Sequence, residues 1–182
     1  MRKSRQEAAE TRERIVSVAA REFNRSGIQS TGLAAIMEAS GLTHGGFYKH
    51  FSSKDQLVAE ALEKALERIH SSMEDLSLKE IVGEYLSTRH RDSIEGACPL
   101  AALGSELAHV DGETREVASS GLEQIVTTIA SQLRTLPPKE AKARAQAILA
   151  AMVGSMVLSR VVTDKALSES FLRDTKAFIF KH

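Results

Sequence analysis

Apolar residues recur every three or four positions along nearly the whole chain and nowhere alternate, so the pattern predicts an all-α fold of about nine helices. The first spans about residues 7–26. It has Ile15, Val18, Ala19 and Phe23 on one stripe, Arg12 and Arg14 on the wet side, and Gly27 as its stop. Ser30 or Thr31 caps a short second helix to about residue 39, in which Leu33, Ile36 and Met37 face inward. Gly41 suits the positive φ that ends it, and Thr43 suits the cap of a third helix reaching His50, with Phe47 and Phe51 four apart on the inner face. Ser52 or Ser53 starts a long fourth helix striped by Leu57, Val58, Ala61, Leu62, Ala65 and Ile69.

Beyond Asp75 the pattern predicts helices over about 78–89, 100–110, 113–136, 139–162 and 168–180. Pro99 suits the first turn of the sixth helix, Asp111-Gly112 breaks it, and Pro137-Pro138 ends the seventh. The eighth is rich in small residues, among them Ala147, Ala151, Gly154 and Ser155, which let helices approach closely. The last presents Phe171 with Phe178 and Leu172 with Ile179, each pair seven apart. That is more apolar surface than a terminal helix alone can hide.

With 182 residues, 42% of them hydrophobic, the chain can bury one ordinary core or two small ones that share it. Lys+Arg and Asp+Glu balance at 24 each, but unevenly along the chain. Residues 1–54 hold nine basic and five acidic side chains, a balance of +4, which leaves −4 for the remainder. A basic front and an acidic body suit a nucleic-acid-reading module joined to a body with another task, although a chance imbalance of this size is modest. The single Cys98 excludes an internal disulfide and suits a reduced, cytoplasmic setting. No apolar run approaches the ~20 residues of a membrane span, so no membrane is expected as a partner. Met1 to Arg5 reads as a basic arm.

Gly45 and Gly46 cost roughly 1 kcal/mol each against alanine in a helix interior, so their place beside exposed donors suggests close approach to another surface. Tyr48, Lys49 and His50 end in groups suited to phosphate oxygens. The run from Gly41 to Phe51 followed by Ser52-Ser53-Lys54-Asp55 resembles the TetR/AcrR-type one-component repressors. The resemblance continues upstream through Thr11 to Ile15, Ala19, Phe23, Gly27, Ile36 and Ala39, and so covers roughly residues 7–62. Gly32 departs from it, where the family has a better hydrogen-bonding residue.

The resemblance implies an N-terminal three-helix helix-turn-helix domain over 1–52 and an effector-binding and dimerisation domain over 53–182. It also implies a homodimeric repressor on a pseudo-palindromic double-stranded DNA operator. Thr43, His44 and Gly45 would face base edges, and Thr31, Tyr48, Lys49, His50 and Lys54 would hold phosphates. Tyr48 and His50 have the alternative role of stabilising the fold, and Lys54 that of a solvated lysine. The family's last two helices meet their symmetry mates, which puts Ala147, Ala151, Gly154, Ser155, Phe171 and Phe178 at the dimer interface.

The rival class is an all-α enzyme. Six histidines form no His-x-x-x-His pair. Glu67 with His70 and Glu106 with His109 have the spacing of a di-metal bundle, but no further inward Glu stands out, and solvated helix faces explain them better. Asp92 and Glu95 read as solvated loop charges. No catalytic residue, metal or cofactor is therefore expected. The body has few aromatics and many aliphatic side chains, which suits a small, largely apolar effector among helices four to eight, near Cys98, Leu103, Glu106, Ile125 and Met152. At a helix start Cys98 has N–H groups that favour a thiolate sensitive to oxidants or electrophiles, while burial would make it a packing residue; the sequence leaves both open.

Overall fold

The computed structural model describes residues 5–93 and 96–181. The expected basic arm, apart from Arg5, and Glu95 of the loop before Cys98 lie outside the described residues. Among the described residues there are ten helical elements and no strand. They are α1 (Arg5–Ser26), α2 (Leu33–Ala39), a 3-10 segment (His44–Lys49), α3 (Lys54–Met73), α4 (Leu78–Tyr85), α5 (Thr88–Asp92), α6 (Pro99–Leu107), α7 (Gly112–Ser131), α8 (Pro138–Val161) and α9 (Lys165–Lys181).

A first core forms where α1, α2, the 3-10 segment and the start of α3 meet. Ile15, Ala19, Phe23, Ile36, Met37, Phe47, Phe51 and Leu57 are each at most 2% exposed there. Gly27 ends α1 with φ +84°, its N–H donating to the Phe23 carbonyl at 2.8 Å. Ser53 caps α3 by accepting from Gln56 N, whose side-chain oxygen in turn accepts from the Ser52 N–H at 2.8 Å. The second core lies in the body. Leu66 and Met73 of α3, Ile81 and Val82 of α4, Ile125, Val126 and Ile129 of α7, Leu149, Met152 and Met156 of α8, and Leu172 and Ile179 of α9 fill it. Because α3 packs on α1 at one end and along α7 over the rest, it belongs to both cores and joins them.

Four element boundaries differ from the sequence expectation, and the simplest is the sixth helix, which ends at Leu107 rather than at about residue 110. The helix expected over 78–89 is broken at Leu86, since the Ser87 side chain accepts from His90 N and starts α5 as a separate turn. The seventh ends at Ser131; two successive turns follow, and Leu133 still packs on the core from the first of them, so periodicity alone over-extended it. The last begins three residues early because Asp164 accepts from Leu167 N at 2.6 Å. Caps also differ: Gly32 and Thr43 occupy the N-cap positions of α2 and the 3-10 segment without any side-chain cap bond.

The Ser155 hydroxyl donates to the Phe171 carbonyl at 2.8 Å, and that of Ser168 to Ser159, so α8 and α9 are locked as a pair. Leu172 and Ile179 point into this pair, whereas Phe178 is 58% exposed. By length and composition α8 is apolar enough to cross a membrane, contrary to the expectation from uninterrupted apolar runs. Its apolar surface here is divided between packing on α6, α7 and α9 and an exposed outer stripe.

One glycine sets the spacing of the body. A Cβ at Gly121 of α7 would fall 2.6 Å from Leu66 Cδ1 and 3.0 Å from Leu66 Cβ, so the α3–α7 contact depends on its absence. Gly104 of α6 has nothing within 4 Å. Overpacking costs about 1–3 kcal/mol, and replacing an unconstrained helical glycine by alanine gains up to about 1 kcal/mol. Thermal or urea denaturation is therefore expected to show Gly121→Val destabilised by about 2 kcal/mol and Gly104→Ala stabilised; the same sign for both would refute this account of the contact.

Candidate DNA interface and effector cavity

Between α2 and the 3-10 segment the chain reverses through Gly41 at φ +71°. The Gly41 N–H donates to the Glu38 carbonyl and the Leu42 N–H to that of Met37, both at 2.9 Å, which is the two-bond ending that a left-handed glycine permits. The next segment, expected as an α-helix, is instead wound as a 3-10 helix. Gly46 N donates to Thr43 O and His50 N to Phe47 O, each at 2.9 Å and each three residues back. Two glycines and a short span leave little α-helical preference, and tighter winding is common in such short pieces. Phe47 and Phe51 hold the segment down, stacked at 5.5 Å between centroids, and Tyr48 meets Phe47 edge-on at 5.1 Å.

This leaves Thr43, His44, Gly45, Tyr48 and Lys49 exposed together. Tyr48 is 68% exposed, so its ring leans on the core while its hydroxyl is in solvent. A Cβ at Gly45 would meet nothing within 4 Å, so nothing inside the protein requires glycine there. His50 is half-buried, its ring 6.5 Å from that of Phe51. Lys54 Nζ donates to the Ile28 carbonyl at 2.6 Å, which leaves two of its three donors. Thr31 is different from the rest: it is 4% exposed, and its hydroxyl donates to the Gly27 carbonyl at 2.6 Å. Its hydrogen bond is therefore made inside the domain, and Ser30 is the exposed hydroxyl at that helix start.

Two arginines expected on the wet side of α1 are structural. The Arg12 guanidinium pairs with Glu60 of α3 through both nitrogens and lies 4.5 Å over the Phe51 ring. Arg14 donates to the Ser40 carbonyl at the end of α2 at 3.2 Å. Both fasten α1 to the elements that carry the exposed face, and no local sequence pattern reveals partners 26 and 48 residues away.

In the body a cavity of about 440 Å³ opens between α3, α4, α5, α7 and α8. Ile125, Met152 and Cys98 line it, as expected. Leu103 and Glu106 do not. Leu103 lines a crevice with Phe23, Ile28, Val58 and Leu62 where α6 meets the N-terminal domain. The Glu106 carboxylate accepts from the Gln29 N–H at 3.0 Å and sits against Gly27, so it ties the body to the turn after α1. Sequence reading also missed Tyr85 and His90 in the cavity wall, because the break that turns α5 inward was not visible. Burial raises the Cys98 thiol above its ordinary pKa, and this outweighs the lowering by nearby Tyr85 and by the Ala101 and Leu100 N–H groups at the helix start. Glu67 with His70 and Glu106 with His109 are not brought together, and among the described residues no three metal-ligating side chains converge.

A glycine-turned recognition segment on a small three-helix core defines a helix-turn-helix DNA-binding domain and makes the molecule a transcriptional regulator. The sequence profile for bacterial regulatory proteins of the tetR family matches residues 15–61, and that for the C-terminal domain of LmrA/YxaF-like transcriptional regulators matches residues 76–169; the chain belongs to the TetR family. Its relatives are transcriptional regulators rather than enzymes. The HTH-type transcriptional regulator AcrR of Shigella flexneri is 36% identical over 109 residues, 60% of this chain and 44% of that relative, so less than half of its length is covered. The HTH-type transcriptional regulator LmrA of Bacillus subtilis (strain 168) is 29% identical over 166 residues, 82% of this chain and 86% of that one. Among solved structures, a TetR transcriptional regulator from Chloroflexus aurantiacus is 26% identical with a TM-score of 0.79, covering 97% of this chain and 98% of its own.

Substitutions at Lys49 and Gly45 test whether DNA binding and folding separate on this face. Lys49→Ala is expected to weaken binding to every duplex and to lower the slope of log affinity against log salt by about one unit per subunit. Gly45→Ala is expected to leave thermal stability unchanged or raised while reducing DNA affinity, because only an outside surface meets the added methyl group. Loss of stability without loss of affinity would reverse that assignment.

Proposed function

We propose that this chain is a homodimeric repressor that binds a pseudo-palindromic operator through two copies of the exposed 43–49 face and is released by a small, largely apolar effector in the body. The observation that carries the reading is the Phe47–Phe51 anchor, which leaves Thr43, His44, Gly45, Tyr48 and Lys49 outward on a rigid frame. Thr43, His44 and Gly45 are assigned to base edges, and Tyr48, Lys49, His50 and Lys54 to phosphates. The division into a DNA-binding domain over 1–52 and an effector and dimerisation domain over 53–182 belongs to the same reading, as does a cytoplasmic location.

Dimerisation is supported by the outer stripe of α8 and α9. Ala147, Ala151, Gly154, Val157, Leu158 and Val161 recur at helical spacing, and Val161 is 70% and Phe178 58% exposed. Phe171 stands partly buried at the edge of this stripe, and Ser155 faces inward as part of the α8–α9 lock. The buried, protonated thiol of Cys98 favours a reversible ligand over an electrophile as the releasing signal. Coupling is assigned to α6, with Cys98 at its cavity end and Glu106 on the turn after α1.

The decisive test is selection of duplexes from a random pool with the purified protein, followed by mobility shift across a salt series. Two half-sites about 34 Å apart, centre to centre, are expected. Absence of any salt-dependent duplex affinity would sink the reading. For the dimer, a Cβ at Gly154 meets nothing within 4 Å inside the chain, so Gly154→Arg is expected to preserve the subunit fold, yield monomers in sedimentation and weaken operator binding. A Gly154→Arg dimer of unchanged stability would place the interface elsewhere.

A further inference from the structure

Most of the cavity wall is apolar, and its neutral polar groups gather where α4, α5 and the start of α6 meet. Tyr85 and His90 stand there with ring centroids 4.6 Å apart and planes at 72°. What each lacks, the other does not supply. His90 Nδ1 lies 2.8 Å from the Tyr85 carbonyl, which can only accept, so Nδ1 carries the proton. Burial holds the imidazole below its ordinary pKa, and the neutral ring keeps Nε2 as a bare acceptor. Tyr85 Oη is buried with the Cys98 thiol as its polar neighbour, a weak partner that does not meet it in hydrogen-bond geometry, so the hydroxyl is left without a full hydrogen bond. The charged side chains around the cavity, Arg68, Glu84 and Arg89, are exposed at its rim, and Glu84 pairs with Arg89. The Arg160 guanidinium lies close enough to act on Tyr85, His90 and Cys98, but it does not line the cavity and donates to the His90 and Arg91 carbonyls, both at 3.1 Å. An ionised group taken inside would therefore lose its hydration without a direct ion-pair partner in the wall.

We propose, building on the effector-cavity reading above, that the ligand is an uncharged, mostly apolar molecule bearing a hydroxyl group that donates to His90 Nε2 and accepts from Tyr85 Oη. A hydroxyl both donates and accepts, so one group satisfies the two positions, whereas an ether or ketone oxygen serves only Tyr85. The apolar remainder lies against Ile69, Met73, Ile125, Ile129 and Met152, which supply affinity without direction. This makes Tyr85 and His90 the residues that set specificity, and it ties ligand recognition to Cys98 and hence to the start of α6.

The test is displacement of the neutral dye N-phenyl-1-naphthylamine from the full-length protein at about pH 8, where histidine is neutral. The competitors are decanol, its isomer methyl nonyl ether, and decanoate. Decanol is expected to bind about three- to tenfold more tightly than the ether, the range of the one net hydrogen bond to His90 that the ether cannot make. Tyr85→Phe, which removes a buried oxygen without adding bulk and so is expected to fold, should weaken decanol and the ether alike, because both oxygens accept from Tyr85. His90→Phe should remove the preference for decanol while leaving the ether's affinity unchanged. Equal affinity of decanol and ether for the wild type, a preference that survives His90→Phe, an ether affinity untouched by Tyr85→Phe, or tightest binding of decanoate would overturn the proposal while leaving the cavity a binding site. Failure of the dye and all three competitors to bind would overturn the effector-cavity reading with it.

Discussion

Burial of Phe47 and Phe51 against α1, α2 and α3 is the constraint on which the exposed face depends. The His44–Lys49 segment that Phe47 anchors has two glycines, six residues of 3-10 winding and no side-chain cap, so it has almost no stability of its own. Each buried phenylalanine contributes about 1.5–3 kcal/mol of transfer free energy, several times any local preference of those six residues. Their positions four apart in sequence therefore decide the orientation of everything between and around them. Arg12 adds a second fastening, since its guanidinium is shared by the Glu60 carboxylate and the face of Phe51. A binding surface built this way is rigid without a long helix, which suits a segment that has to lie close to another molecule.

The same logic explains what the amino-acid pattern revealed and what it hid. Gly41, Phe47 and Phe51 were readable because their roles are local: a left-handed turn and a four-residue spacing have sequence signatures. The winding of the segment was not readable, because 3-10 and α windings of six residues place Phe47 on the same buried side. Thr31 and Ser155 carry hydroxyls that suit a phosphate or a helix partner equally well, and only the fold shows them donating to Gly27 and Phe171 carbonyls. Glu106 looked like a pocket residue because it lies on the right helix, yet α6 is long enough for its two ends to serve different neighbours. Long-range partners such as Arg12 with Glu60 leave no periodic trace at all.

The two ends of α6 touch different halves of the molecule. Nine residues at 1.5 Å each make a rod of about 13 Å, with Cys98 in the cavity wall at its start and Glu106 near its end. A helix transmits displacement only if both ends are held. The far end is held by the Glu106 carboxylate on the Gln29 N–H and against Gly27, where a side chain on residue 27 would collide with it. Leu103 fills the crevice between these points and makes the contact with Phe23 and Val58 apolar, so α6 cannot slide without disturbing the first core. Because packed interfaces of this kind shift between discrete arrangements rather than deform smoothly, a displacement at the cavity end has two outcomes: α6 stays, or the turn after α1 moves with it. That turn leads through Thr31 into α2, on which the recognition segment rests, so the coupling proposed for α6 would run through contacts already made in this structure.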